Sequence, residues 1–390
     1  MKKIALVIFD YFEYGGIQKD LDALGKMLRK LSLERCIPCE LTLICMRNRS
    51  GSIPDWCDHL EVLAPKWYEL SNHRRAMGFD RRIAAIKAEK RFDLLVGFNR
   101  IGNLDFYFAG DDCLKERYRY RPFAAHLLSR ARNFLELERR VFQLGSSGGA
   151  EKIFVITEKQ KQSFLRFYPE CAPERLILMP PNLAEEFFDR SGYETMRRET
   201  RQKWNIADDE LFIIQIAAAF HTKGVDRSLA ILGKSKASGR LKKFRFLVAG
   251  GSSPRVIKAM ETRVGGSGLA PEEVIFCGPR QDIRELLCAA DLMIHPARAE
   301  SAGSVLIEAL SCGVPVLSGA VCGYNSFLED AGSGVIIPEP FDASEAVELF
   351  EKTLAKLPEL KRAASGFAAN NIVPEKFQRA RLEAELILNS

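Results

Sequence analysis

Short apolar runs of strand length alternate with segments of helical spacing along nearly the whole chain. That alternation limits the fold more than any other feature. Residues 4–9 read as a buried strand, followed by Gly15-Gly16 and by helical spacing over 17–30 through Ile17, Leu21, Leu24 and Leu28. The pattern predicts further strands at 41–46, 93–98, 152–157 and 176–179, and helices at 79–90 and 158–168. After Pro180-Pro181 the rhythm resumes, with strands at 211–217, 244–249, 274–277, 292–295, 314–317 and 334–337 and helices at 224–235, 281–289 and 302–312. Strands that alternate with helices build parallel sheets covered on both faces. A chain of 390 residues is long enough for two cores. The reading is therefore α/β, with two doubly wound, Rossmann-like domains at 1–181 and 182–373 facing a cleft. A helical C-terminus at 374–390 is free to pack back on either.

The composition, 47% hydrophobic and 28% charged, is that of a globular protein, and the net charge of +6 neither demands nor excludes an anionic partner. The apolar run after Met1-Lys2-Lys3 is too short for a signal peptide. No stretch approaches the roughly 20 apolar residues of a spanning helix. The expectation is a cytoplasmic protein with at most peripheral membrane contact, on the inner face of the inner membrane. Most of the ten cysteines sit in apolar runs, and Cys36-Ile37-Pro38-Cys39 lacks the second pair that a zinc site needs.

Residues 291–318 carry the chemistry. A buried strand ends at His295-Pro296, a loop carries Glu300, and a helix begins near Ala302-Gly303-Ser304. Unpaired amides and the positive end of a helix dipole then face the carboxyl edge of the sheet, which is an anion site where open α/β sheets bind ligands. Glu308 lies one helix turn on, in an otherwise apolar stretch. An acid there needs a polar partner, and a ribose diol would serve. Gly313 caps the helix. Glu300 alone would read as a solvated loop acid; with Glu308, Gly303, Gly313 and Pro315 in register it reads as functional.

This segment resembles the E-x7-E signature of retaining glycosyltransferases of the GT-B fold. The fragments 14–20, 96–99, 105–111, 223–228 and 321–324 resemble one subgroup, the lipopolysaccharide core glucosyltransferases that add the first glucose to the inner-core heptose. The resemblance implies transfer of glucose, or a related hexose, from UDP-glucose to a heptose, with no cofactor and no metal. It places Glu300 on the donor hexose, the amides of Ala302, Gly303 and Ser304 beside the sugar and diphosphate, and Glu308 on the ribose. It puts Lys223 on the leaving diphosphate, with His221 or Arg227 as the candidates for a second cation there. Gly15 and Gly16 would approach the phosphates, and Asp111 the reacting sugar. Asp20, Asn99 and Asp105 fall on the acceptor side. A fixed lysine with helix amides stabilises the charge that grows on departing UDP.

Bland readings compete. Gly15-Gly16 could be a plain strand–helix turn, Asp111 a turn cap, and Lys223 a surface lysine. Asp20-Leu21-Asp22 spells the Asp-x-Asp of metal-dependent transferases. It lies on an amphipathic helix, where i and i+2 face different ways, so no metal is expected. One departure stands out: the family's second basic residue beside the phosphate lysine is Thr222 here. Residues 115–140 hold eight Lys/Arg against three Glu, interleaved with aromatics, and fit either an anionic leaflet or a solvated helix face. Two further functional readings share the fold. One is a transferase acting on DNA, disfavoured because the basic residues cluster in a single segment, so no nucleic acid partner is expected. The other is a protein that binds a sugar nucleotide without turnover.

Overall fold

The computed structural model describes residues 1–12, 15–119, 122, 128–143 and 148–390. It divides into two units, Met1–Pro181 with Gln378–Ser390, and Asn182–Phe377.

In the first unit the described strands are β1 (Lys2–Tyr11), β2 (Cys39–Asn48), β3 (His59–Val62), β4 (Leu94–Gly97), β5 (Phe106–Ala109), β6 (Lys152–Val155) and β7 (Leu176–Leu178). They form one parallel sheet in the order β3-β2-β1-β4-β5-β6-β7. Ile4, Ala5, Leu6 and Val7 are fully buried. Consecutive apolar residues on β1 are what a strand covered on both faces needs. The order reverses between β1 and β4, so the turns after these two strands meet at the carboxyl edge of the sheet.

The C-terminal helix Arg379–Leu388 packs in this unit against the helix Gly16–Glu34. Arg35 pairs with Glu385 at 2.6 Å, and the Lys2 ammonium donates to the Leu388 carbonyl at 3.1 Å. The start of the C-terminal segment is thus Gln378 rather than residue 374, because Phe377 packs in the core of the second unit.

The second unit contains β8 (Leu211–Ile216), β9 (Phe244–Ala249), β10 (Val274–Gly278), β11 (Leu292–His295), β12 (Val316–Gly319) and β13 (Gly334–Ile337). All are parallel, in the order β10-β9-β8-β11-β12-β13. The reversal falls between β8 and β11. Asp291, just before β11, binds the base of this sheet together. It accepts from the Phe212 amide at 2.8 Å, pairs with Arg197 at 2.7 Å and Arg201 at 3.2 Å, and takes Lys361 at 2.5 Å.

Several elements escape the pattern reading. β3 is a half-exposed edge strand of four residues, and β5 is bounded closely by Asp105 and Gly110. The helix Tyr193–Lys203 is mostly charged, and the helices Pro254–Gly266, Ala343–Ala355 and Leu357–Asn371 bury only a few residues each. Of residues 115–140, 120–121 and 123–127 lie outside the described residues, as does Tyr14.

Candidate active site

The switch between β8 and β11 in the second unit brings Lys223 and Glu300 together, although they are far apart in sequence. Lys223 follows β8 and Glu300 follows β11; their side chains meet at 2.5 Å between Nζ and Oε2. Both are largely buried, at 23% and 14% side-chain exposure, so this is not a solvated surface pair. His295, the last residue of β11 and fully buried, places Nε2 at 3.2 Å from the same Oε2. Burial works against the ionised form of Glu300. The His295 hydrogen bond and the Lys223 ammonium outweigh it and hold the carboxyl below its ordinary range.

The lysine loop is built by buried polar contacts. Gln215, fully buried on β8, donates from Nε2 to the Lys223 carbonyl at 2.7 Å, and the Ser228 hydroxyl donates to its Oε1 at 2.8 Å. Gly224 has φ 71°, and a Cβ there would stand 2.1 Å from the Pro296 carbonyl oxygen. Only glycine lets the lysine turn lie this close to the loop after β11. Arg298 ties the same two loops from the other side. Its amide donates to the Thr222 carbonyl at 2.8 Å, and Nη1 donates to the His221 carbonyl at 2.8 Å and to Asp226 at 2.7 Å.

Gly303 caps the helix Ser304–Ser311 with φ 89°. A Cβ on it would meet Leu306 at 3.2 Å and the Glu300 Cγ at 3.3 Å, so the glycine leaves Glu300 its room. The first amides of such a helix lack intrahelical acceptors and present a partial positive charge beside the Lys223–Glu300 pair. Residues 321–324 close the other side, where the Tyr324 amide donates to the Ala302 carbonyl at 2.8 Å. Glu308 is half-buried in the second turn.

Arg227 is turned to other work. It pairs with Glu339 at 2.6 Å, donates to the Pro296 and Ala297 carbonyls, and stacks over Phe341 at 4.3 Å. The structure thus uses it to fix the loop after β11.

In the first unit, Gly15, Gly16 and Asn99 line one cavity of about 400 Å³ at the carboxyl edge near β1 and β4. Asn99 accepts from the Phe9 amide at 2.6 Å. A Cβ on Gly15 would collide with the buried Gln18 side chain, which donates to the Asp10 carbonyl at 2.8 Å, whereas Gly16 faces open space. Asp111 is half-exposed and accepts from Arg100 at 3.1 Å. Asp105 is buried, accepts from the Leu95 amide at 2.7 Å and pairs with Lys87, which is a framework role. Asp20 pairs with Arg379 of the C-terminal helix, while Asp22 accepts from Tyr11 at 2.9 Å and Trp56 at 3.0 Å. The two aspartates therefore face different partners. Among the described residues no cluster of metal-ligating side chains occurs, and all ten cysteines are free thiols.

Residues 196–367 match the family described as glycosyl transferases group 1. The lipopolysaccharide glucosyltransferase WaaG of Escherichia coli K12 is 31% identical over 364 residues, covering 91% of this chain and 90% of that protein. This chain belongs to the WaaG family of glycosyltransferases. The crystal structure of WaaG superposes with a TM-score of 0.83 at 29% identity, over 99% of this chain and 100% of that one. A more distant likeness is to Anabaena Alr3699/HepE in complex with UDP-glucose, at TM-score 0.72, 15% identity and full coverage of both chains; it speaks for the fold alone. As a member of the WaaG family the protein is a hexosyltransferase of GT-B fold. The E-x7-E register lies inside the matched region, on the loop and helix just described. His295, Gln215, Ser228 and Arg298 also shape this site, through contacts that no sequence motif marks. His295 sits beside Pro296 at a strand end, but nothing in the sequence shows that its ring turns toward Glu300.

Proposed function

We propose that this enzyme transfers glucose, or a closely related hexose, from UDP-glucose to a heptose of the lipopolysaccharide inner core, with retention of configuration and without a metal. The observation that carries the reading is the Lys223–Glu300 pair at the β8/β11 switch, facing the amino end of the helix capped by Gly303. In this reading the diphosphate lies against the first amides of that helix and takes the Lys223 ammonium. Glu300 then accepts hydrogen bonds from hexose hydroxyls, and Glu308 accepts from the ribose. As the bond from the anomeric carbon to the diphosphate oxygen breaks, negative charge grows on UDP, and Lys223 with the helix amides stabilises it where it develops. A single positioned donor of this kind is worth about 3–4 kcal/mol of barrier.

The name of the Escherichia coli relative supports a lipopolysaccharide acceptor, and the likeness spans 91% of this chain and 90% of that protein. The enzyme would work at the inner face of the inner membrane. No helix among the described residues is long and apolar enough to cross a membrane. Peripheral contact through 115–140 is supported by exposed Arg130 and Arg132 beside exposed Leu128, at the start of the helix Ser129–Phe142. The buried side of that helix is core: Glu138 is fully buried and takes Arg100 at 2.9 Å and the Tyr168 hydroxyl at 2.7 Å.

The test is incubation of the purified protein with UDP-glucose and core-truncated lipopolysaccharide, reading glucose incorporation together with UDP release. A parallel screen of GDP- and ADP-sugars fixes the donor. Transfer that stays high in Glu300→Ala would remove the site assignment. UDP-glucose binding without transfer to any heptose acceptor would favour a non-catalytic binding protein.

A further inference from the structure

Two groups share one carboxylate oxygen. Lys223 Nζ lies 2.5 Å and His295 Nε2 lies 3.2 Å from Oε2 of Glu300. They differ in what else they can do. Lys223 sits on a loop at the open edge of the sheet and retains 23% side-chain exposure, so an incoming anion can reach it. His295 is sealed in the strand end at 0% exposure, and among the described residues its Nδ1 has no hydrogen-bond partner. An ionised carboxylate only accepts hydrogen bonds, so the ring must carry its proton on Nε2 and aim it at Glu300. The imidazole then has a single polar task.

We infer that the free site is self-neutralised, and that donor binding proceeds by a hand-over: the diphosphate takes Lys223 away from Glu300, while His295 keeps the carboxylate in place for the sugar. His295 is therefore a positioning residue, acting on the hexose only through Glu300. The inference rests on the reading of Glu300 as the hexose contact. Without His295, a Glu300 stripped of its lysine would be a largely buried carboxylate on a loop, with no described side chain to orient it. The cost should then appear after the diphosphate has bound and not before. UDP, which has no hexose, should be indifferent to His295, whereas transfer of the hexose should not.

The two amide substitutions separate these roles. In His295→Gln the terminal nitrogen falls near the position of Nε2 and can still donate to Glu300. In His295→Asn it falls near Nδ1, where the ring makes no bond. The expected result is UDP affinity within twofold of wild type for both variants by calorimetry. Transfer kcat/KM should fall roughly 10- to 100-fold in His295→Asn, chiefly in kcat, and recover to within about fivefold in His295→Gln, the range set by one hydrogen bond to a charged group. Equal transfer by the Asn variant and wild type, with Glu300→Ala inactive, would overturn the hand-over while leaving the site intact. Full transfer by Glu300→Ala would instead overturn the underlying reading. A parallel loss of UDP affinity and transfer in both variants would mark His295 as merely structural and also defeat the inference. If the Asn variant does not fold, nitrogen NMR of the wild-type imidazole decides. A proton on Nε2, retained when UDP is added, is expected; a proton on Nδ1 in the free protein would refute it.

Discussion

Replacing Glu300 by Gln removes the charge that holds Lys223 in the free enzyme while keeping the shape of the side chain. The two groups approach to 2.5 Å with less than a quarter of either side chain exposed. Unit charges about 4 Å apart interact by roughly 4 kcal/mol at an effective dielectric near 20. Desolvation of both groups cancels much of this, leaving about 1–2 kcal/mol that UDP must overcome to recruit the lysine. Glu300→Gln should therefore bind UDP about tenfold more tightly, since 1.4 kcal/mol is a factor of ten. The same change weakens the acceptor offered to the hexose hydroxyls, and transfer kcat/KM should fall about 10- to 100-fold. Calorimetric titration with UDP and a coupled assay of UDP release measure the two effects on one preparation. Opposite signs are the signature. An unchanged or weaker affinity for UDP would refute the idea that Glu300 competes with the diphosphate for Lys223.

Other perturbations follow from neighbouring contacts. Lys223→Ala should lower kcat by about 10²–10³, because a positioned cation opposite the leaving group is lost; rapid-quench assay at saturating donor measures it. Gly303→Ala forces φ 89° on a residue with a Cβ that crowds Leu306 and Glu300, and should cost about 1–3 kcal/mol of stability by thermal melting, with reduced transfer. Asp291 is held below its ordinary range: burial opposes ionisation, but Lys361 and the other partners outweigh it. Its folded value lies under its unfolded one, so its contribution is complete above about pH 4 and fades as pH falls through the folded value. Asp291→Asn should flatten that acid limb of the pH–stability curve, measured by urea titration. Burial pushes the Glu383 carboxyl up to about 8, against the pull of Arg379. That raised folded value makes stability greatest below about pH 4.5 as far as this group is concerned, and lost progressively as pH rises toward 8. Glu383→Gln should raise the melting temperature at pH 8 and leave it unchanged at pH 4.5.

The parallel sheets were legible because their strands are buried on both faces, and such strands write themselves as unbroken apolar runs, as in residues 4–8 and 292–294. The interval between Glu300 and Glu308 was legible because it spans one loop and the first turns of one helix. Contacts between separate elements left no such mark. Asp20 pairs with Arg379, which lies 359 positions away on a helix that returns to the first unit. Arg227 pairs with Glu339, 112 positions away, and stacks over Phe341, partners that no local pattern marks. His295 reads as one more residue of a buried strand. Its role depends on a side-chain direction that the period of a strand assigns to a face but not to a partner.

The most direct test of the account is a crystal structure with UDP-glucose bound. The diphosphate is expected against the first amides of the helix Ser304–Ser311, with the Lys223 ammonium on a phosphate oxygen and no longer on Glu300, and His295 still bonded to Glu300. A nucleotide bound elsewhere, or one bound with the Lys223–Glu300 pair intact, would contradict it.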